Sequence, residues 1–183
     1  MEYIETKIPG VWVLEPKVFD DQRGYFMETY RAEDFDSHIG QVLFVQDNES
    51  RSSYGVLRGL HYQKGEWSQA KLVRVLQGRV YDVAVDLRRS SPTFGQHIAV
   101  ELSSDNKRQL FIPRGFAHGF AVLSDTAVFA YKVDNKYMPS AEASIRFDDP
   151  AIGIEWPIPA ADMILSPKDV NAGSLDQAEL FRT

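Results

Sequence analysis

The sequence of 183 residues predicts an all-β fold, an antiparallel sandwich or barrel with a few short helices. Short apolar segments recur at close, regular spacing, and some of them alternate between apolar and polar residues. Glycine, proline and other turn residues separate these segments. We expect a single domain over residues 1–183, in which the segment from about 150 to 183 packs on the barrel.

The N-terminal part of the chain predicts six strands and one helix. Ala32, Phe35 and Ile39 recur at helical spacing, so we expect a helix over residues 31–39 that ends at Gly40. Residues 20–24 and 50–54 are expected to form turns or loops. The predicted strands are residues 3–8, 11–14, 18–19, 25–30, 42–45 and 55–63.

The remaining strands lie before residue 134. Residues 71–76 and 79–87 predict a hairpin that turns at Gln77 and Gly78. Beyond residue 133, recurring prolines favour short helical turns and coil, with a last small helix over residues 176–181. The other predicted strands are residues 97–102, 110–112, 120–123 and 127–133.

The composition limits the possible functions. The net charge of −6 argues against a nucleic acid as partner, because such binding needs a basic face. The absence of cysteine excludes disulfides, thiolate metal sites and cysteine nucleophiles. There is no apolar run of the ~18 residues that a membrane span requires, and the N-terminus does not resemble a signal peptide. We therefore expect a cytoplasmic protein without a membrane partner.

One stretch, GVLRGLHYQ at residues 55–63, places a charge and an ionisable ring in an otherwise apolar strand. Burying either group costs several kcal/mol, in the range of about 2–7 kcal/mol for a polar group, unless it finds a partner. We interpret His61 as a general base and Arg58 as an anion clamp; the alternative is a half-exposed strand with two surface polar groups. A regular strand would place them on opposite faces, so either Gly59 permits a kink or bulge, or Arg58 reaches a neighbouring part of the site from a strand end.

His118, in the segment PRGFAHGF, follows a tight turn and could meet His61 inside a barrel. A metal site there would need further ligands, typically from a His-x-His pair. Positions 59 and 63 are Gly59 and Gln63, so that pair is missing, and Glu66 is a possible but weakly supported third ligand.

Three further residues have both a structural and a chemical interpretation. Asp169 is either a turn or cap residue or the partner of a histidine. Tyr131 is either a core tyrosine or a catalytic acid. Lys71 is either a strand-end lysine or a cation that stabilises negative charge on a substrate oxygen.

The motifs at residues 55–63 and 113–120 resemble those of the dTDP-4-dehydrorhamnose 3,5-epimerases, the RmlC type of the cupin superfamily. The likeness runs essentially end to end, and several long motifs in the same order make it specific. Met138 departs from the family, which often has paired aromatics there. The other matching segments are residues 21–28, 46–48, 93–95, 131–132, 139–142 and 154–157.

The resemblance implies a cupin-type double-stranded antiparallel β-barrel, or jelly roll, that uses no metal and no cofactor. It implies the double epimerisation of a dTDP-4-keto-6-deoxyhexose at C3 and C5, in dTDP-L-rhamnose and lipopolysaccharide biosynthesis. It also implies a homodimer in which N-terminal strands extend the partner's sheet.

The resemblance further implies a role for each matching residue. His61 would be the base, Asp169 its partner, Tyr131 the acid on the other face and Lys71 the group that stabilises the enolate. The substrate-binding residues would be Arg23 and Arg58 on the diphosphate or ring, Glu28, Gln46, Asp47 and Asn48 on the nucleotide, His118 and Lys168 lining the pocket, Tyr137 stacked on thymine, and Glu142 near the nucleotide.

Other functions remain open at this point. A mono-epimerase or ketoisomerase on the same nucleotide sugar would need only small changes in the pocket. A non-catalytic module that binds nucleotide sugars would not need the proton-transfer set. A metal-dependent oxidoreductase of the same superfamily is the least supported alternative.

Overall fold

A computed structural model describes residues 1–181, and its named strands pair only in the antiparallel sense. The predicted all-β class is confirmed. The strands are β1 (Glu2–Glu5), β2 (Trp12–Glu15), β3 (Val18–Asp21), β4 (Gly24–Met27), β5 (Gln46–Ser53), β6 (Leu57–Gln63), β7 (Lys71–Gln77), β8 (Arg79–Asp86), β9 (His97–Ser103), β10 (Gln109–Ile112), β11 (Phe116–Val122), β12 (Thr126–Val133) and β13 (Glu142–Ser144).

Two sheets form the barrel. The six-stranded sheet has the order β1-β2-β10-β7-β12-β5, and the five-stranded sheet has the order β13-β6-β11-β8-β9. Strands β3 and β4 form a separate hairpin. The helices are α1 (Ala32–His38) and α2 (Pro167–Val170), and short 3-10 turns occupy Gly65–Trp67, Pro139–Ala141, Ala160–Asp162 and Leu175–Gln177.

The main core lies between the two sheets. Val73 and Phe129 come from the six-stranded sheet, and Val80 and Phe120 come from the five-stranded sheet. The rings of Phe120 and Phe129 stack with centroids 4.2 Å apart. The C-terminal segment packs on the outer face of the five-stranded sheet, where Ile152, Ile158 and Leu175 join separate apolar clusters.

Three sequence-based element predictions need correction. Residues 42–45 are not a strand, whereas the polar segment Gln46–Ser53 is one, because its backbone pairs with β12 along its whole length. The strand predicted over residues 25–30 ends at Met27. The helix predicted over residues 176–181 is reduced to the 3-10 turn Leu175–Gln177. In contrast, the predicted first helix is confirmed within one residue of each end.

The strand that carries Arg58 and His61 is irregular at Gly59. His61 lies opposite His118, and Arg58 lies opposite Phe120, so β6 has one residue more than β11 between these two pairs. This arrangement is a β-bulge, as the sequence predicted. Gly59 has a φ of 135°, and the peptide bond that follows it is cis.

The bulge turns both polar side chains of β6 toward the barrel interior. Leu57 and Leu60 pack in the apolar clusters on the outer face of the sheet. Since side chains alternate along a strand, Arg58 and His61 are left on the inner face. Arg58 remains accessible to solvent, but its Nε donates a hydrogen bond to Oγ of Ser52 on β5, at 3.2 Å.

The backbones of β6 and β11 approach closely at the bulge. A Cβ on Gly59 would lie 2.5 Å from Cα of Gly119, and a Cβ on Gly119 would lie 2.8 Å from the Arg58 carbonyl oxygen. Neither position has room for a side chain, so both glycines are required by packing, and Gly59 is required by its backbone conformation as well.

We predict that Gly59→Ala lowers the free energy of unfolding by about 3 kcal/mol, from the unfavourable positive φ and from overpacking together. The matched control is Gly40→Ala, where φ is 112° and no atom lies within 4 Å of the added Cβ. In the control, the free energy of unfolding should fall only by the cost of the positive φ, about 1–2 kcal/mol. Urea denaturation measures both, and equal losses would contradict the close approach.

Candidate active site

His61 and Asp169 form the first part of the site. Nε2 of His61 lies 2.5 Å from Oδ1 of Asp169, whose side chain is 2% exposed. Ser166 caps α2 and donates a second hydrogen bond to Oδ2 of Asp169, at 2.7 Å. Burial by itself raises the pKa of Asp169, but the hydrogen bonds from His61 and Ser166 outweigh it and hold the pKa below its ordinary value.

In this geometry the two ring nitrogens of His61 have different roles. The ionised Asp169 accepts the proton of Nε2, so Nδ1 of His61 is left as the proton acceptor. Asp169 lies in the first turn of α2, but the cap of this helix is Ser166. The side chain of Asp169 contacts His61 instead.

Lys71 and Tyr131 extend into the barrel interior from the six-stranded sheet, opposite the sheet that carries His61. Tyr131 packs against the core beside Phe129, with ring centroids 6.0 Å apart. Burial raises the pKa of Tyr131 above its ordinary value, although the nearby charge of Arg58 lowers it in part, so the phenol keeps its proton near neutral pH.

Lys71 lies among charged groups of both signs. Burial lowers its pKa to about 8, and the carboxylates of Asp82 and Glu142 offset part of that effect. The Lys168 ammonium acts in the opposite direction and lowers the pKa further. Lys71 is therefore a cation at neutral pH that loses its charge in the mildly alkaline range.

His118 is buried beside this lysine. Its Nε2 lies 2.9 Å and 3.1 Å from the two carboxylate oxygens of Asp82. Burial lowers the pKa of His118 below its ordinary value, and Asp82 counteracts this only in part. Asp82 was not recognised in the sequence, although an acid within the apolar run VYDVAV is a signal that could have identified it.

A second group of polar residues surrounds Glu142 on β13. Its carboxylate contacts Nζ of Lys168 and accepts a hydrogen bond from the Tyr137 hydroxyl at 3.1 Å. Burial by itself raises the pKa of Glu142, but the hydrogen bond and charge of Lys168 bring it below its ordinary value. Tyr137 is 54% exposed, so one face of its ring is accessible.

Strand β5 divides the predicted nucleotide-binding residues between two faces. Asn48 lies opposite Tyr131 in the ladder with β12 and shares its inward face, and Gln46 donates a hydrogen bond to Asn48 at 2.7 Å. Asp47 has the opposite orientation, since it pairs with Lys132 at 3.0 Å. The structure therefore does not bring Asp47 to the interior residues, because a strand alternates its side chains.

Arg23 and Glu28 also lie apart from the interior residues of their own chain. Arg23 is in the hairpin of β3 and β4 and forms an ion pair with Asp21 at 2.5 Å. Glu28 follows that hairpin and lies 3.6 Å from Arg31. The hydrogen bonds and ion pairs that involve these two residues stay within residues 21–31.

Within residues 1–181, no three His, Asp or Glu side chains are grouped closely enough to hold a metal ion. Glu66 contacts Asn135 through its backbone oxygen. None of the described helices is long and apolar enough to cross a membrane.

We predict that Lys71 titrates near pH 8, so its ammonium is present below that value and is lost as the pH rises through it. Carbon NMR of protein with dimethylated lysines measures this titration, and Lys71→Met assigns the resonance. Exposed Lys136 serves as the internal control, since its side chain is in contact with solvent. A Lys71 titration that matches the Lys136 value would contradict the burial of this charge.

Nearly the whole chain matches one enzyme family. Residues 5–177 match the family model described as dTDP-4-dehydrorhamnose 3,5-epimerase. A dTDP-4-dehydrorhamnose 3,5-epimerase from Salmonella typhimurium (strain LT2) is 58% identical over 181 residues, which covers 98% of each chain.

Solved structures agree with the sequence relatives. The RmlC 3,5-epimerase of Legionella pneumophila Philadelphia 1, in complex with dTDP-4-keto-L-rhamnose, matches with a TM-score of 0.96 and 49% identity, over 100% of this chain and 98% of that one. ChmJ, a 3'-monoepimerase from Streptomyces bikiniensis in complex with dTDP-quinovose, matches with a TM-score of 0.88 and 34% identity, over 94% and 87% of the two chains. The chain therefore belongs to the dTDP-4-dehydrorhamnose 3,5-epimerase family.

Proposed function

We propose that this protein epimerises dTDP-4-dehydro-6-deoxy-D-glucose at C3 and C5 to dTDP-4-dehydro-L-rhamnose, on the path to dTDP-L-rhamnose. One observation carries the proposal: His61 and Tyr131 extend from opposite sheets into one interior, with Lys71 on the strand that neighbours the strand of Tyr131. Inversion at a carbon needs a base on one face and an acid on the other. As the resemblance implies, we also propose a cytoplasmic location and a use of the product in lipopolysaccharide biosynthesis.

His61 is the proposed base. Its Nδ1 takes the proton alpha to the C4 ketone, and the electron pair of the broken carbon–hydrogen bond moves onto O4 to form an enolate. Asp169 keeps the ring oriented and stabilises the imidazolium that forms. The Lys71 ammonium stabilises the developing charge on O4, without which imidazole is too weak a base for such a proton.

Tyr131 is the proposed acid. Its hydroxyl donates a proton to the same carbon from the opposite face, which inverts the configuration and restores the ketone. Burial raises the pKa of Tyr131, and the positive charge of Arg58 offsets part of that effect and so favours this donation. Water then reprotonates Tyr131 and removes the proton from His61, and the cycle repeats at the second carbon.

The groups around Glu142 are proposed to hold the nucleotide. Lys168 and Arg58 are the accessible cations that suit a diphosphate. Tyr137 presents an exposed ring on which thymine can stack. Gln46 and Asn48 face inward from β5, as described above, and His118 closes the inner end of the pocket.

A mono-epimerase is the second candidate. The specific observation in its favour is the match to ChmJ, a 3'-monoepimerase, at 34% identity. The relatives at 58% and 49% identity are named as 3,5-epimerases. The higher identities support the double reaction, so we rank the mono-epimerase below it.

A homodimer is also proposed, because the hairpin of β3 and β4 presents an unusual amount of exposed aromatic surface. Phe19, Tyr25 and Phe26 are 54%, 54% and 70% exposed. Such a patch is typical of an interface. A second copy that covers the hairpin would bury these rings and would bring Arg23 and Glu28 toward the interior of that copy.

We expect the protein to exchange hydrogen for deuterium at C3 and C5 of the keto sugar in deuterium oxide. His61→Ala should abolish exchange at both carbons, because the base is removed. The matched control is His38→Ala, since His38 stacks on Tyr3 in the N-terminal region and should be dispensable. Mass spectrometry and NMR read the label carbon by carbon.

In the same experiment, Tyr131→Phe separates proton removal by His61 from protonation on the opposite face. His61 should still remove and return protons on its own face, so exchange persists while the inverted product is lost. Exchange at one carbon only in the native protein would favour the mono-epimerase. A native protein that binds the nucleotide sugar without exchange would contradict both enzymatic functions.

We predict that sedimentation gives twice the mass of one chain and that Phe26→Asp shifts the protein toward a monomer. A charge placed in a buried interface is strongly unfavourable. Leu43→Asp changes an equally exposed apolar side chain outside the hairpin and should leave the mass unchanged. Monomeric native protein would rule out the dimer, and dissociation by both variants would rule out the hairpin as its interface.

A further inference from the structure

Asp82 is a charged side chain in the middle of the barrel core. It is 0% exposed and lies on β8 between Val80 and Ala84, which both belong to the main apolar cluster. A buried carboxylate at such a place costs several kcal/mol unless other groups stabilise it. Nothing in the proposed reaction so far uses Asp82.

Two groups of the proposed pocket neighbour this carboxylate. Both of its oxygens lie within hydrogen-bond distance of Nε2 of His118, so the histidine ring is fixed with its Nε2 proton toward Asp82. Lys71, on the facing sheet, lies close enough for the charge of Asp82 to act on it. The carboxylate therefore acts on the two buried basic residues that line the inner end of the pocket.

We propose that Asp82 is a positioning residue for the epimerisation: it orients the His118 ring and supplies the negative charge that keeps Lys71 an ammonium beside the C4 oxygen. This inference rests on the proposed function. Asp82 does not reach the substrate, because its carboxylate is fully buried and both of its oxygens face His118. It acts through Lys71, whose charge the enolate requires.

The charge of Lys71 depends on every ionisable group that faces it. Glu142 on β13 also favours the ammonium, whereas Lys168 on α2 disfavours it. His118, whose pKa burial lowers, is neutral at alkaline pH and then contributes little charge. Of the two carboxylates, Asp82 has the larger influence on Lys71, and unlike Glu142 it is not paired with a lysine.

Asp82→Asn tests the proposal, because the amide keeps the size of the side chain and an oxygen for His118 but loses the charge. We expect the Lys71 titration, followed by carbon NMR of dimethylated protein, to move down by about one pH unit. The alkaline fall of kcat should move with it, which makes the variant about tenfold slower at about pH 9. KM should change little.

Two controls accompany this variant. Asp149→Asn makes the same chemical change at another buried carboxylate, which accepts hydrogen bonds from the backbone of Ala151 and Leu175 away from the pocket. Asp149→Asn should leave the Lys71 titration and the alkaline fall of kcat unchanged. Asp82→Glu keeps the charge, so its kcat should fall at the same alkaline pH as that of the native protein. If the Asp82→Asn protein does not fold, Asp82→Ser removes the charge from a smaller side chain and carries the same test.

The outcomes are distinguishable. Downward shifts of both titrations in Asp82→Asn alone support the proposal. A uniform loss of kcat at all pH values with an unmoved Lys71 resonance would overturn it, because Asp82 would then be merely structural. A native protein without exchange would overturn the proposed function and the part of Asp82 in it, whereas the NMR titration would still report the effect of Asp82 on Lys71.

Discussion

The close contact between the backbones of Gly59 and Gly119 is the constraint on which the site depends. It allows one extra residue in β6, and that residue changes which side chains face inward. Without the bulge, Arg58 and His61 would lie on opposite faces of the strand. With the bulge, His61 contacts Asp169 from the C-terminal segment. Arg58 contacts Ser52 on β5, the edge strand of the facing sheet.

The site concentrates charge inside a protein whose overall charge is negative. The ionisation of Lys71 does not depend on net charge, since this lysine has two specific carboxylate neighbours, Asp82 and Glu142. Burial opposes the ionisation of Lys71, and the two carboxylates restore part of it. The balance leaves Lys71 charged at neutral pH, where its ammonium can stabilise negative charge on a substrate oxygen.

The sequence predicted the fold class, because recurring short apolar segments separated by turn residues leave a local signal. The bulge followed from the three-residue spacing of Arg58 and His61, and the motifs pointed to Asp169, 108 residues away from the histidine. Strand β5 was missed because its residues are polar and only its pairing with β12 makes it a strand. Asp82 was missed because its importance comes from a neighbouring strand that the chain reaches much later.

The proposed base and acid are anchored in different sheets, and this has a consequence for residues that never meet the sugar. The gap between the two groups depends on the separation of the sheets, which the stacked rings of Phe120 and Phe129 help to set. These rings therefore help to keep the two sheets apart. A smaller ring at either place would let the sheets settle closer, and the substrate would fit between the two proton-transfer groups less well.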